Sequence, residues 1–426
     1  MLKSKAHMSV NRVRDKRIIT ANSRRRFSFK WIPQGIDYPI YWSLIWLSLF
    51  GLLMIASASM GLAIGQTTTL AKIVIKQVVF LILGYFSMTY LTNRFRFRFL
   101  DSTLFLWTAI GLFISLMMCL SFRDAGGAHA WIRISLLGQE ITIQPSEFIK
   151  IFTPMVVAAY CGSANERELQ RKAESDRRGV DYWKRPVMIL GIYFFMILGP
   201  QSDLGSAAVI AMISMACFLI PHNPHLRFFQ HFVIFLLVLG IVGTAAILTP
   251  YGMGLIQSLP LKAYQKNRFI SAVNPFADPY GTGYQLINGL ISMASGGWSG
   301  LGFGNSVRKY TQFPAANTDF ILAIVVEELG IVGFLLIFIP YIIIICRLFY
   351  FAMRIKNEKA QILLVGTAMY LAVHCLFNIG GVTGLVPLTG VPLLMISSGG
   401  SSSLAFMASI GVAQSVIAQY RRGAIQ

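Results

Sequence analysis

An all-α, polytopic membrane protein is the fold class this sequence predicts, on three observations. Hydrophobic residues make up 55% of its 426 positions, with a mean hydropathy of +0.62. Only 13% are charged, against about 25% in soluble domains. Apolar runs recur at about the 20-residue length that lets a helix cross hydrocarbon with every backbone amide paired. Ten transmembrane helices are predicted, at Tyr38 to Met60, Ile73 to Leu91, Ser102 to Phe122, Ile143 to Tyr160, Pro186 to Pro200, Leu204 to Pro221, His231 to Pro250, Phe320 to Ile345, Ala360 to Ile379 and Val391 to Gln419. A large external loop, about residues 251–319, separates helices 7 and 8.

The first segment, residues 1–36, is a basic tail. It is too charged for a cleaved signal peptide, and the apolar run after it is longer than a typical signal core. The membrane domain then covers residues 37–420, and residues 421–426 form the C-terminus. Pro186 to Pro221 could be one long tilted helix or two short spans meeting at Gln201-Ser202-Asp203. Positive charge separates these readings. With two spans, 27 of the 37 Lys and Arg fall on one side, and both termini are cytoplasmic. One long helix would send Arg347, Arg354, Lys356 and Lys359 to the outside.

The net charge of +20 has its own explanation. Arg24-Arg25-Arg26 and Arg94, Arg96 and Arg98 interleave with Phe27, Phe95 and Phe97, a pattern that suits anionic membrane lipids better than nucleic acid. Cys119, Cys161, Cys217, Cys346 and Cys375 lie in or beside apolar spans without CxxC pairing, so neither a disulfide framework nor a zinc site is expected. His222, His225 and His231 cluster in a short turn but lack a neighbouring carboxylate or thiol. The charged stretch Glu166 to Arg185 reads as a solvated loop.

Function is sought among polar residues of the spans, because a charge in hydrocarbon costs at least about 2.5 kcal/mol and persists where it is paired or used. Gln144-Pro145-Ser146-Glu147 with Lys150 opens the fourth span, after a loop with Gly126-Gly127-Ala128 and Trp131. Glu147 and Lys150 share a helical face and can pair. Asp203, in Gln201-Ser202-Asp203-Leu204-Gly205, reads as a helix cap and as a second acid. The long external loop carries Lys266, Arg268, Asp278, Arg308, Lys309 and the glycines 296, 297, 300, 302 and 304, and its cations suit an anionic headgroup such as pyrophosphate. Asp319, in Asn317-Thr318-Asp319-Phe320, sits where the eighth span begins, with Glu327 and Glu328 deeper in the same helix. Asp319 is the better general base, and Glu327 and Glu328 are expected to bind neighbouring helices.

These segments together resemble the SEDS (shape, elongation, division and sporulation) family, from about residue 37 onward and in order. The resemblance rests on Ala56-Ser57-Ala58-Ser59, Gly127-Ala128 with Trp131-Ile132, Gln144-Pro145-Ser146-Glu147 with Lys150, and Gln201 with Asp203-Leu204-Gly205. It continues in Asp278-Pro279 with Gly283-Tyr284-Gln285, Ser295-Gly296-Gly297, Gly300 to Gly304, Lys309, Thr318-Asp319-Phe320 and Glu327-Glu328-Leu329-Gly330. Gly384 with Pro387-Leu388-Thr389-Gly390-Val391-Pro392 and Gly399-Gly400-Ser401-Ser402 complete it.

The resemblance implies a peptidoglycan glycosyltransferase that polymerises lipid II at the outer face of the bacterial cytoplasmic membrane. A class B penicillin-binding protein would be its transpeptidase partner, with other divisome proteins at the septum. It implies that Asp319 is the essential carboxylate and that Glu147 and Lys150 line a central cavity. Arg268, Lys309 and Lys150 become candidates for the leaving pyrophosphate, and Gln144, Asp203 and Trp131 for substrate contact. No metal motif is visible; a divalent cation, Mg²⁺ or Mn²⁺, could bridge substrate phosphates with few protein ligands. The basic N-terminal extension and Asn378-Ile379-Gly380-Gly381-Val382-Thr383-Gly384 look more like the FtsW branch than the RodA branch. The chain departs from the family pattern at Ala130, with Arg133 nearby as a substitute, and at Ala315, Met395 and Ser398. A lipid II flippase and a transpeptidase-recruiting scaffold are the rival functions; an external Asp319 suits a polymerase, and a scaffold gives it no task.

Overall fold

The computed structural model describes residues 32–63, 67–122, 127–136, 139–163, 181–247, 263–311 and 313–425, with isolated positions between 249 and 258. Most of the basic tail, most of Glu166 to Arg185 and part of the external loop lie outside the described residues.

Every predicted span holds a helix: α1 Tyr38–Ser59, α2 Thr67–Arg94, α3 Thr103–Cys119, α4 Pro145–Tyr160, α5 Asp181–Leu198, α6 Leu204–Phe218 and α7 Arg227–Ile247. After the long loop, which contains α8 Ala263–Val273 and α9 Tyr284–Gly296, come α10 Ile321–Arg354, α11 Glu358–Val382 and α12 Gly400–Arg421. Six of these, α1, α2, α7, α10, α11 and α12, are long and apolar enough to cross a membrane by length and composition. The chain turns between α5 and α6 at residues 199–203, so the two-span reading of Pro186 to Pro221 holds.

The bundle is built around α12, whose apolar window is 94% buried, whereas that of α7 is 6% buried and lies at the edge. Small residues let α12 approach α2. A Cβ on Gly411 would lie 2.7 Å from the Met88 carbonyl, and Thr92 Oγ1 donates to the Gly411 carbonyl at 3.2 Å. This is how apolar helices pack in lipid, where van der Waals fit replaces hydrophobic drive.

One end of the bundle is clasped by Asp37, the buried N-cap of α1. It accepts from Arg347 Nη2 at 2.5 Å and Arg421 Nη2 at 2.9 Å. The start of α1 and the ends of α10 and α12 therefore share one end, as the ten-span order requires.

Three features depart from the sequence reading. The Ile143 start of the fourth span is instead the end of a hairpin, β1 Ile132–Leu136 and β2 Gln139–Ile143, paired antiparallel with Ile132 opposite Ile143. The helix begins at Pro145, whose missing N–H costs nothing at the first turn. The tenth span does not start at Val391. Residues 383–399 are non-helical, since Pro387 and Pro392 lack the N–H a helix needs, and α12 starts only at Gly400. The eighth span runs on to Arg354 but is interrupted at Gly330 (φ 64°). There the amides of Leu301 and Gly302 take the Glu327 and Glu328 carbonyls at 2.9 Å each, so the glycine-rich loop supplies the partners the break releases.

Candidate active site

At the bundle end opposite the Asp37 clasp lies a cavity of about 440 Å³, within the usual size range of ligand sites. Seven of the eight residues proposed from the sequence line it: Trp131, Gln144, Glu147, Lys150, Asp203, Arg268 and Asp319. A larger apolar cavity of about 590 Å³ runs between α2, α3, α4 and α12, with no carboxylate among the described residues that line it.

One wall comes from α4. Glu147 and Lys150, each 1% exposed, pair at 2.7 Å as their spacing predicted. Glu147 also accepts from the Tyr370 hydroxyl at 2.7 Å, and Lys150 Nζ reaches His374 Nε2 at 3.2 Å. Asp203 caps a helix, as expected, and lines the cavity. Its Oδ1 caps α6 by accepting from the Ser206 amide at 3.0 Å, while Oδ2 takes the Gln144 side chain at 2.9 Å.

The opposite wall holds Asp319, one residue before the Phe320 N-cap of α10. Its backbone carbonyl accepts from Asn378 Nδ2 at 2.8 Å. Enclosure by protein strips water from its carboxyl and pushes its pKa up to about 6, against the pull of nearby Arg268 and with a smaller push from Asp203. The non-helical segment before α12 closes this side. Gly390 (φ 72°) comes so near that a Cβ there would sit 3.1 Å from Arg268 Nη1 and 3.6 Å from Asp319 Oδ2. Arg268 also donates to the Leu388 carbonyl at 3.1 Å. It is part-buried in the wall. Among the described residues three non-glycine positions have left-handed backbone; Ser202 (φ 59°) and Ala315 (φ 57°) line the same cavity, and the third is Met395 (φ 66°). Such strain gathers where surrounding structure over-determines a site.

Lys309 is a correction. Its ammonium is buried elsewhere, donating to Glu328 Oε1 at 2.7 Å, the Gly304 carbonyl at 2.7 Å and Ser57 Oγ at 3.1 Å. Glu328 in turn accepts from Ser57, which belongs to α1, and from the Gly304 amide at 3.0 Å. Glu327 accepts from Ser306 Oγ at 2.6 Å. Both glutamates thus fold the glycine-rich loop, and Lys309 closes that loop instead of facing substrate. Arg133 is not a substitute at the cavity either: it lies 3.6 Å from Glu140 across the hairpin. Among the described residues no group of three His, Cys, Asp or Glu is arranged to hold a metal.

The sequence reading gave Tyr370 and His374 no role and used Asn378 only as a mark of the branch. Their signal was available, as polar side chains at four-residue spacing in an apolar span.

A polytopic bundle with a charged cavity at one end is the class of protein these features define. The chain matches the model of the FtsW, RodA and SpoVE cell cycle proteins over residues 38–422, and it belongs to that family. It is 30% identical to the probable peptidoglycan glycosyltransferase FtsW of Coxiella burnetii, over 85% of this chain and 91% of that one. The FtsW of Bacillus subtilis is 29% identical over 89% and 90%. The stage V sporulation protein E of Bacillus subtilis is 34% identical over 67% and 70%. Among solved structures, a chain of a peptidoglycan synthase complex superposes with a TM-score of 0.66 at 22% identity, covering 91% of this chain and 99% of its own. The rod shape determining protein RodA of Thermus thermophilus superposes with a TM-score of 0.57 at 20% identity, over 91% and 98%.

Proposed function

We propose that this protein is a peptidoglycan glycosyltransferase of the FtsW type, joining lipid II units into glycan at the outer face of the cytoplasmic membrane during division. The observation that carries the reading is the meeting of Asp319, Arg268 and the Glu147–Lys150 pair around one cavity. The names of the FtsW relatives support it.

The acceptor 4-hydroxyl attacks C1 of the donor sugar, and its proton passes to the Asp319 carboxylate. The new C1–O bond forms as the C1–O–phosphate bond breaks, and its electron pair leaves with undecaprenyl pyrophosphate. With its pKa near 6, Asp319 is mostly ionised at neutral pH yet still basic, the balance that general-base catalysis favours. Arg268 and Lys150 supply the positive charge that the departing pyrophosphate needs. Trp131 and Gln144 contact the sugars from the hairpin side. A class B penicillin-binding protein would crosslink the strands; the peptidoglycan synthase complex among the structural neighbours supports such a partner.

Purified protein incubated with lipid II, with and without a class B penicillin-binding protein, tests this directly. Glycan polymer is expected. Transport of lipid II across vesicles with no polymer under any pairing would replace the polymerase reading with the flippase one.

A further inference from the structure

The α11 residues Tyr370, His374 and Asn378 repeat every four positions, which keeps them on one helical face about 6 Å apart along the axis. Each touches a different part of the cavity wall. Tyr370 holds Glu147, and Asn378 donates to the carbonyls of Asp319 at 2.8 Å and Val391 at 3.0 Å. His374, fully buried between them, has partners on both ring nitrogens: Lys150 Nζ 3.2 Å from Nε2 and the Pro392 carbonyl 3.1 Å from Nδ1.

Chemistry assigns the roles. An ammonium has only donors, so Nε2 accepts; a carbonyl has only lone pairs, so Nδ1 carries the proton. Lys150 has three N–H groups. Among the described residues Glu147 takes one and His374 a second, which leaves one for the cavity that Lys150 lines. The Pro392 carbonyl belongs to the segment carrying Leu388 and Gly390, which abuts Arg268 and Asp319. His374 therefore joins the cation of one wall to the backbone that shapes the other.

We propose that His374 is a positioning residue for the substrate's anionic group. It aims the remaining N–H of Lys150 into the cavity and fixes the 388–392 segment beside Arg268. The identity of that anion, a lipid pyrophosphate, rests on the polymerase reading; the geometry does not.

The test uses the full-length protein in nanodiscs and two readouts, equilibrium binding of undecaprenyl pyrophosphate and steady-state turnover of lipid II. Leucine at this position removes both hydrogen bonds, so His374→Leu should weaken binding and raise KM about tenfold while kcat changes less than about threefold. His374→Gln keeps an amide oxygen for Lys150 and an amide N–H for Pro392, and should restore both within about twofold. Because one of its two contacts acts through Lys150, the double variant His374→Leu/Lys150→Met should lose less binding than the sum of the two single losses. Should His374→Leu fail to fold, His374→Asn, whose shorter amide cannot span both partners, takes its place with the same expected loss.

Glutamine as poor as leucine, unchanged binding in His374→Leu, or additive losses in the double variant would overturn the assignment. Wild type that binds the pyrophosphate lipid but makes no glycan would sink the polymerase reading and leave the His374 test decided by binding. Wild type that does not bind the lipid overturns both.

Discussion

Glu147–Lys150 and Glu328–Lys309 are two buried ion pairs with the same Nζ to Oε1 separation of 2.7 Å, yet their surroundings differ. Lys309 spends all three N–H groups on protein: Glu328, the Gly304 carbonyl and Ser57. Among the described residues Lys150 spends two, on Glu147 and His374, and lines a cavity. A saturated ammonium holds a fold together; one with a donor to spare can hold a ligand. Counting donors separates structural from substrate-facing charge where burial and distance do not.

The largest expected effect lies on the cavity side. Asp319→Asn keeps shape and removes the proton acceptor, so glycan synthesis from lipid II should fall by about 10² to 10⁴-fold while lipid binding persists. Near wild-type polymerisation by this variant would dissolve the functional half of the comparison.

The saturated pair should answer differently. Lys309→Met leaves Glu328 charged and buried, at a cost of about 3–5 kcal/mol in stability. Thermal unfolding in detergent should show it, and the folded fraction should still bind lipid II with wild-type affinity. Lys150→Met should lose affinity as well as stability. Equal affinity losses in the two lysine variants would mean that donor counting does not distinguish the pairs.

Arg268 sharpens the cavity side further. Arg268→Ala should raise KM for lipid II about tenfold, the worth of one charge-assisted contact to phosphate. Its melting temperature should move little, and a large drop would reassign Arg268 to the fold.

The smallest effect is a shift in pH profile. As the proposed base, Asp319 would work deprotonated, so kcat/KM should rise with pH through about 6 and level off above it. Arg268 lowers that pKa and Asp203 raises it. Removing the cation in Arg268→Ala should therefore move the limb up, and Asp203→Asn should move it down, each by about one unit or less. Shifts of the same sign in both variants would contradict the arrangement of charges around Asp319.

Much of the site was legible before the structure. Glu147 and Lys150 sit three apart in an apolar run, and charges there must be paired or used. Asp319 stood out because it precedes a long apolar helix. Lys309 looked like Arg268, a cation in the same loop, because nothing local marks which loop cation folds back onto a glutamate. His374 was hidden for the opposite reason. A single polar residue in a span resembles a packing accident until the four-residue repeat with Tyr370 and Asn378 is noticed.

What the sequence alone determined is whatever depends on local pattern and solvent. Lipid offers no partner to an amide, so hydropathy fixes where helices run, and charge placement between spans fixes the order of their ends. The tertiary structure decided where that periodicity gives way. Gly330 breaks α10 because the glycine-rich loop supplies the partners that the helix gives up there. Pro387 and Pro392 keep the stretch from Thr383 to Gly399 out of a helix, and packing lays it against Asp319 and Arg268. Irregular backbone at that depth survives only where other elements satisfy it. Those elements, Asn378 with the Val391 carbonyl and His374 with the Pro392 carbonyl, are brought in from α11 by long-range packing.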